Sequence, residues 1–341
     1  GIVLDVNSLY PSVMYYKKMP YGEGIYYTGE YEEDDVYDLY IQNIRCQFEV
    51  KPGMIPTIQI KKNLAFVPNE YLTSSNGEYV DLWLTSVDLK LFLEHYDVYD
   101  MEYVCGWKYK SSTRLFRDYI DKWNGIKVQA SKEGNKSLRT IAKLMLNSLY
   151  GKFASAPEGR SKYPYLGDDG IVHYQTGELE KRKAIYIPVG TFITAWARNK
   201  TIRSAQKVYD RVIYADTDSL HLEGTIPPEG LEIDDTKLGA WKLESHFASA
   251  RFLRQKCYIE NIISDEKEIC KFLNKNAELA HHVNKELGTI MKITCARMPK
   301  SCYKNVTFDN FRIGESFEGK LKPIHVPGGI VLMGIPHTLR R

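Results

Sequence analysis

The chain is 341 residues long, enough to bury a sizeable core in one large domain or two to three smaller ones. Forty-six Lys and Arg against 43 Asp and Glu leave a net charge of only +3, so total charge neither demands nor excludes a polyanionic partner. No apolar run approaches the ~20 residues needed to cross a bilayer, and the six cysteines form no C-x-x-C pair, which excludes a ribbon-type zinc site and predicts no structural disulfide. With no secretory leader visible, a soluble protein in a reduced cytosolic compartment is expected.

In chain order, Ile2-Val3-Leu4-Asp5 reads as a buried strand. It runs into a turn at Pro11, followed by a helical pattern through Val13, Met14 and Lys17. The chain opens on Gly1 rather than Met, and the strand starts without a preceding cap, so a longer protein is expected upstream. Segment 20–105 is rich in Tyr, Gly and acids, six of them between Glu30 and Asp38. Alternation at Arg45–Val50 predicts strands there, and a helical pattern covers Val87–His95. Ser112–Phe153 reads as two helices broken near Glu133-Gly134-Asn135. Segment 156–190 reads as an irregular hairpin, Thr191–Tyr209 as a helix, and Arg211–Glu223 as a hairpin with Asp216-Thr217-Asp218 at its tip. The last seventy residues mix short strands and one helix.

Charge is distributed unevenly. Lys108–Lys143 holds ten basic residues against three acids, and Lys292–Arg341 nine against three. Such stretches attract phosphates, although each alone is better explained as a solvated face. The 25 tyrosines suit base stacking, with sheet and core positions as the plainer explanation.

Three separated segments carry chemistry. Asp5-Val6-Asn7-Ser8-Leu9-Tyr10-Pro11-Ser12 delivers a carboxylate to the end of a strand, where a lone Asp is commonly a turn or helix cap. On a helix Arg139, Lys143, Asn147 and Tyr150 share one face, so two cations can hold a triphosphate while Asn147 and Tyr150 face sugar and base; by itself that face is an ordinary basic surface. Tyr214-Ala215-Asp216-Thr217-Asp218-Ser219 crowds two carboxylates at a hairpin tip, and like charges so close repel unless a cation lies between them. Oxygen ligands from Asp5, Asp216 and Asp218 suit Mg²⁺, and two such ions would activate a 3′-hydroxyl and stabilise leaving pyrophosphate. The expected chemistry is nucleotidyl transfer.

These segments, in this order, resemble the motifs D-x-x-S-L-Y-P-S, K-x-x-x-N-S-x-Y-G and Y-x-D-T-D-S of the family B DNA polymerases. The strings DVNSLYPS, KLMLNSLYGKF and YADTDSLH are similar to the protein-primed, phi-29-type branch. So are IQNIRCQFEV, IPTIQIK, EYVDLWLTSVDL, FITAWAR, LRQKCYIE and HVPGGIVL, extending the resemblance over nearly the whole chain.

The resemblance implies an α+β right-hand fold: palm from 1–20 and 191–279, fingers from 112–155, thumb from 280–341. Two terminal-protein-region insertions are implied, 21–111 contacting the priming protein and 156–190 wrapping DNA for processivity and strand displacement. Asp5 and Asp218 match the metal-binding pair, assisted by the Val6 carbonyl and Asp216, for two Mg²⁺ ions with Mn²⁺ as a substitute. Tyr10 matches the steric gate against a ribose 2′-hydroxyl. Lys143, Arg139 and Lys127 match the triphosphate-holding cations, with Arg139 where the family often has Lys. Asn147 and Tyr150 complete the nucleotide site, and Gly151, Tyr214, Thr217, Lys256 and Tyr258 the primer side. The implied partners are template-primer DNA, a deoxynucleotide and the terminal priming protein. A monomer in the cytoplasm of a phage-carrying bacterial host is implied, with no membrane. The family's proofreading exonuclease would precede Asp5, so this chain is expected to be the polymerase part without it, a fragment rather than a truncated gene. The alternative is a catalytically weak fragment that binds DNA or terminal protein; an RNA-directed enzyme is disfavoured by Tyr10 and by D-T-D in place of paired aspartates.

Overall fold

The computed structural model describes residues 1–60, 66, 70–156, 158–181 and 185–340. Its first strand, β1 (Ile2–Val6), is apolar on both faces because it ends up in the interior of a sheet. α1 (Leu9–Tyr16) follows after Ser8, which holds φ 54 at the helix start. Pro11 lies inside the first turn of α1 and not in a turn before it: a residue there has no intrahelical use for its N–H, so proline is tolerated.

β2 (Met19–Thr28), β3 (Leu39–Val50), β4 (Val80–Thr85) and β5 (Tyr96–Ser112) form an antiparallel sheet in the order β2-β5-β3-β4. α2 (Ser86–His95), capped by Thr85 accepting from the Asp88 N–H at 3.1 Å, accompanies it; Phe48, Phe92 and Tyr96 meet in a second core. The expected alternation at Arg45–Val50 and the helix at Val87–His95 both fall within these elements.

α3 (Arg117–Lys132) and α4 (Lys136–Phe153) are separated where Gly134 takes φ 68 and Asn135 accepts from the Leu138 N–H at 3.0 Å. β6 (Glu158–Leu166) and β7 (Val172–Lys181) form the irregular hairpin expected in this segment, antiparallel with a register shift between Arg160 and Lys162. Residues 182–184 of that segment lie outside the described residues. α5 (Ile187–Lys207) starts before the expected Thr191 because Pro188 occupies its first turn, where proline favours a helix instead of ending one.

β8 (Val212–Asp216) and β9 (Ser219–Leu222) form the short hairpin predicted around Asp216-Thr217-Asp218. β10 (Trp241–Arg254), β11 (Cys257–Ile263), the capped helix α6 (Glu266–Lys275), β12 (Val283–Asn284) and β13 (Thr289–Cys295) complete a seven-stranded sheet, β12-β13-β11-β10-β1-β9-β8. β14 (Ser316–Val326) and β15 (Gly329–Thr338) are a long two-stranded hairpin, where short strands were expected. Its tip meets the tip of β6–β7: the Gly328 N–H donates to the Gly170 carbonyl at 3.0 Å and Tyr174 lies edge-on to His325.

The main core joins β1, α1 and α5 through residues such as Ile2, Leu4, Val13, Phe192 and Ile193. Burying each of these side chains contributes roughly 1.5–3 kcal/mol, and their packing fixes where β1 ends. None of the described helices is long and apolar enough to cross a membrane. The cysteines are free, with the Cys257 and Cys295 sulfurs 3.2 Å apart on facing strands.

Candidate active site

Where β1 ends, its neighbours end too. β1 pairs with β9 on one side and β10 on the other, placing Asp5 opposite Ser219 and Lys242. The Val6 N–H donates to the Asp218 carbonyl at 2.8 Å, which ties the strand carrying Asp5 to the turn carrying Asp218. That turn is tight: Thr217 takes φ 52, and its carbonyl accepts from the Thr201 hydroxyl of α5 at 2.8 Å. Positive φ is uncommon in a β-branched residue and costs about 1–3 kcal/mol. Thr201 and the paired strands hold it.

A cleft of about 500 Å³ opens here, and Asp5, Val6, Tyr10, Lys127, Arg139, Lys143, Asn147, Tyr150 and Asp218 all line it. The residues come from β1, α1, α3, α4 and the β8–β9 turn. Tyr10 and Tyr150 stack with ring centroids 4.3 Å apart, forming an aromatic floor between the strand end and α4. Lys127 donates to the Ser8 hydroxyl at 3.0 Å, and Arg139 to the Ser131 hydroxyl at 3.2 Å.

The electrostatics are opposed across the cleft. Burial pushes Asp5 up to about 7, with the charges of Asp218 and Glu244 adding to the shift. Asp218 is raised as well, first by burial. On the other wall, burial lowers Lys127, with the charges of Arg139 and Lys143 acting in the same direction. Anionic and cationic walls facing one cleft suit a ligand carrying both a cation and a polyphosphate.

The donor set fits magnesium. Asp5 and Asp218 are crowded carboxylates whose mutual repulsion a divalent cation would relieve, and no group of three or more His, Cys, Asp or Glu among the described residues stands ready as a cage. Magnesium is characteristically held by one or two carboxylates, with waters and substrate phosphates completing its shell.

Other expected site residues form a neighbouring group. Asp216 does not line the cleft; its Oδ1 lies 3.5 Å from Lys256 Nζ and accepts from the Thr217 hydroxyl at 3.0 Å. Tyr214 and Tyr258 pack together at 5.0 Å between centroids, and the Tyr214 hydroxyl accepts from the Lys256 N–H at 2.7 Å. Gly151 stands apart, near the end of α4, where a Cβ would meet nothing within 4 Å.

Several residues around the cleft escaped the sequence reading. Glu244 sits two positions beyond Lys242, the register partner of Asp5, and alternation along β10 was the available signal. Ser8, already inside the first motif, partners Lys127. Thr201 looked like an ordinary helix position, and nothing in its neighbourhood distinguishes it.

The sequence model of the family described as DNA polymerase type B, organellar and viral, matches residues 1–236, and the chain belongs to that family. It is 48% identical over 343 residues to the DNA polymerase of Bacillus phage phi29 and 50% identical over 342 to that of Bacillus phage Nf. The DNA polymerase of Streptococcus phage Cp-1 is 36% identical over 343 residues. All of this chain aligns with the two Bacillus phage proteins, and it spans 58% of their length. Among solved structures, the phi29 DNA polymerase complexed with primer-template DNA and incoming nucleotide matches with a TM-score of 0.90 at 47% identity, over 100% of this chain and 58% of that one. The same polymerase complexed with single-stranded DNA matches with a TM-score of 0.86.

Proposed function

We propose that this chain carries the polymerising activity of a protein-primed viral DNA polymerase, adding deoxynucleotides to a primer 3′-hydroxyl under direction of a DNA template. The observation that supports this most is the single cleft joining Asp5 and Asp218 to Lys127, Arg139 and Lys143 across the Tyr10–Tyr150 stack. Likeness to a polymerase solved with primer-template DNA and nucleotide supports the same ligands here.

In this reading β1, α1 and the seven-stranded sheet are the palm, α3 and α4 the fingers, and the C-terminal segment the thumb. The sheet of β2 to β5 is the surface offered to the priming protein. The β6–β7 and β14–β15 hairpins, touching at their tips, partly encircle the duplex and favour long synthesis with strand displacement.

Lys127, Arg139 and Lys143 orient the triphosphate, charge-assisted contacts being the strong ones. Tyr10, packed on Tyr150, lies under the sugar and excludes a 2′-hydroxyl by bulk. Asn147 and Tyr150 face the base pair, and Lys256 with Tyr258 steadies the primer end. Asp5, Asp218 and the Val6 carbonyl would hold two magnesium ions, or manganese in their place, with Asp216 assisting. Bound there, the metal supplies charge neutralisation of the phosphates and a more acidic 3′-hydroxyl.

Primer extension by the purified chain on primed DNA with Mg²⁺, beside Asp218→Ala, tests the reading. Extension lost in the variant with DNA binding retained is expected. A folded chain that binds DNA and extends nothing would overturn it.

A further inference from the structure

Beneath the β8–β9 hairpin the sheet buries a histidine and a carboxylate that none of these proposed steps uses. His221 of β9 is 1% exposed, Glu260 of β11 is fully buried, and His221 Nδ1 lies 2.7 Å from Glu260 Oε1. β9 and β11 are not neighbours in the sheet. β10 pairs with β1 through its first half and with β11 through its second, so this polar contact joins two strands that the sheet order separates.

As core filling the pair is a poor choice. Buried ionisable pairs are often no more stabilising than apolar residues of the same volume, and here His221 Nε2 and Glu260 Oε2 have no hydrogen-bond partner. What such a contact supplies is orientation. It fixes the plane of the imidazole, whose edges meet Tyr214, Phe252 and Tyr258 at centroid distances of 5.2, 5.3 and 5.1 Å. Tyr214 then presents its hydroxyl to the Lys256 N–H. Lys256 stands in a turn at φ 55, a conformation that residues other than glycine seldom hold unaided. Its ammonium lies within 3.5 Å of Asp216.

We propose that His221 and Glu260 are positioning residues for Lys256: their hydrogen bond sets the aromatic cluster, Tyr214 in that cluster holds the Lys256 backbone, and the ammonium is thereby aimed at Asp216 and the primer end. The last step rests on the polymerase reading; the alignment of Lys256 does not.

Two measurements on the full chain test this, amide hydrogen exchange at Lys256 and primer extension in a cycle with Lys256→Ala. In Glu260→Ala, Lys256 exchange should rise about tenfold relative to the amides of β1, and extension should fall about tenfold, with little further loss on adding Lys256→Ala. Glu260→Gln keeps an acceptor for His221 and should restore both within about threefold. Should Glu260→Ala not fold, the doubly apolar His221→Leu/Glu260→Leu chain removes the contact without stranding either partner, and the same two losses are expected. Unchanged exchange at Lys256, or losses that multiply with Lys256→Ala, would overturn the proposal. A wild-type chain without extension would sink the polymerase reading alone, because the exchange measurement still decides whether the pair holds Lys256.

Discussion

The cleft and the two outlying hairpins are built on opposite principles. At the cleft, β1 is held by two strands, and the β8–β9 turn carrying Thr217 and Asp218 is held both by α5 and by the Val6 amide. Leu220, His221 and Leu222 behind that turn are all buried. β6–β7, in contrast, exposes Tyr163, Tyr165, Leu166 and Tyr174, and β14–β15 exposes Leu321 and Ile330 through Met333. The two meet through their tips. Nucleotidyl transfer needs atoms fixed to fractions of an ångström. Retaining a polymer needs reach and closure, and segments with few buried contacts open at little cost.

The contrast breaks if a single cleft side chain proves dispensable. Lys143→Ala should lower kcat/KM for the incoming nucleotide by about a hundredfold, measured in single-nucleotide addition. On the proposed reading, replacing 159–180 by a short flexible linker should shorten products per binding event by about tenfold, because hairpins closed around the duplex would raise its effective concentration at the cleft. Challenge with excess trap DNA reads that length, and a larger loss in a single addition than in length would erase the distinction. Tyr10→Val should lower discrimination against ribonucleotides by about tenfold, read as the ratio of kcat/KM values for the two sugars.

Much of the cleft was legible because its chemistry lies in residue identity at short spacing. Asp5 after an apolar strand, the i, i+4 face of α4 and the D-T-D turn each have a plainer explanation singly and point to one site only when taken together in this order; the cleft gathers Asp5, Asp218 and the α4 face but leaves Asp216 outside. Spacing could not foresee the Tyr10–Tyr150 stack or the Lys127–Ser8 bond, which depend on how α1, α3 and α4 pack. His221 and Glu260 were invisible for a related reason: each reads as a single polar residue on its own strand, and only the folded sheet, in which β9 and β11 are not neighbours in order, brings them together. The hairpin β6–β7 was legible as a hairpin, but the bounds of its strands were not, because both of its faces are wet and no hydrophobic alternation marks them. Proline gave two boundary errors, at Pro11 and Pro188, since a residue that suits a turn also suits the first turn of a helix, where both of these lie.

The smallest expected effect concerns how the Thr217 turn is held. Thr201, on α5, is nearly buried, and its hydroxyl lies 3.2 Å from the Ala197 carbonyl and 2.8 Å from that of Thr217. A hydroxyl carries one proton, so it cannot serve both at full strength, and the shorter contact is the one to the turn. Thr201→Val preserves shape and removes that donor, leaving the Thr217 carbonyl without this partner at a cost of about 1 kcal/mol. If the brace serves only stability, Tm falls and the rate at a temperature well below unfolding stays the same. If it fixes the turn between Asp216 and Asp218, incorporation falls about threefold as well, and Thr201→Ser, which keeps the hydroxyl but loses the methyl, recovers the rate more fully than the Tm.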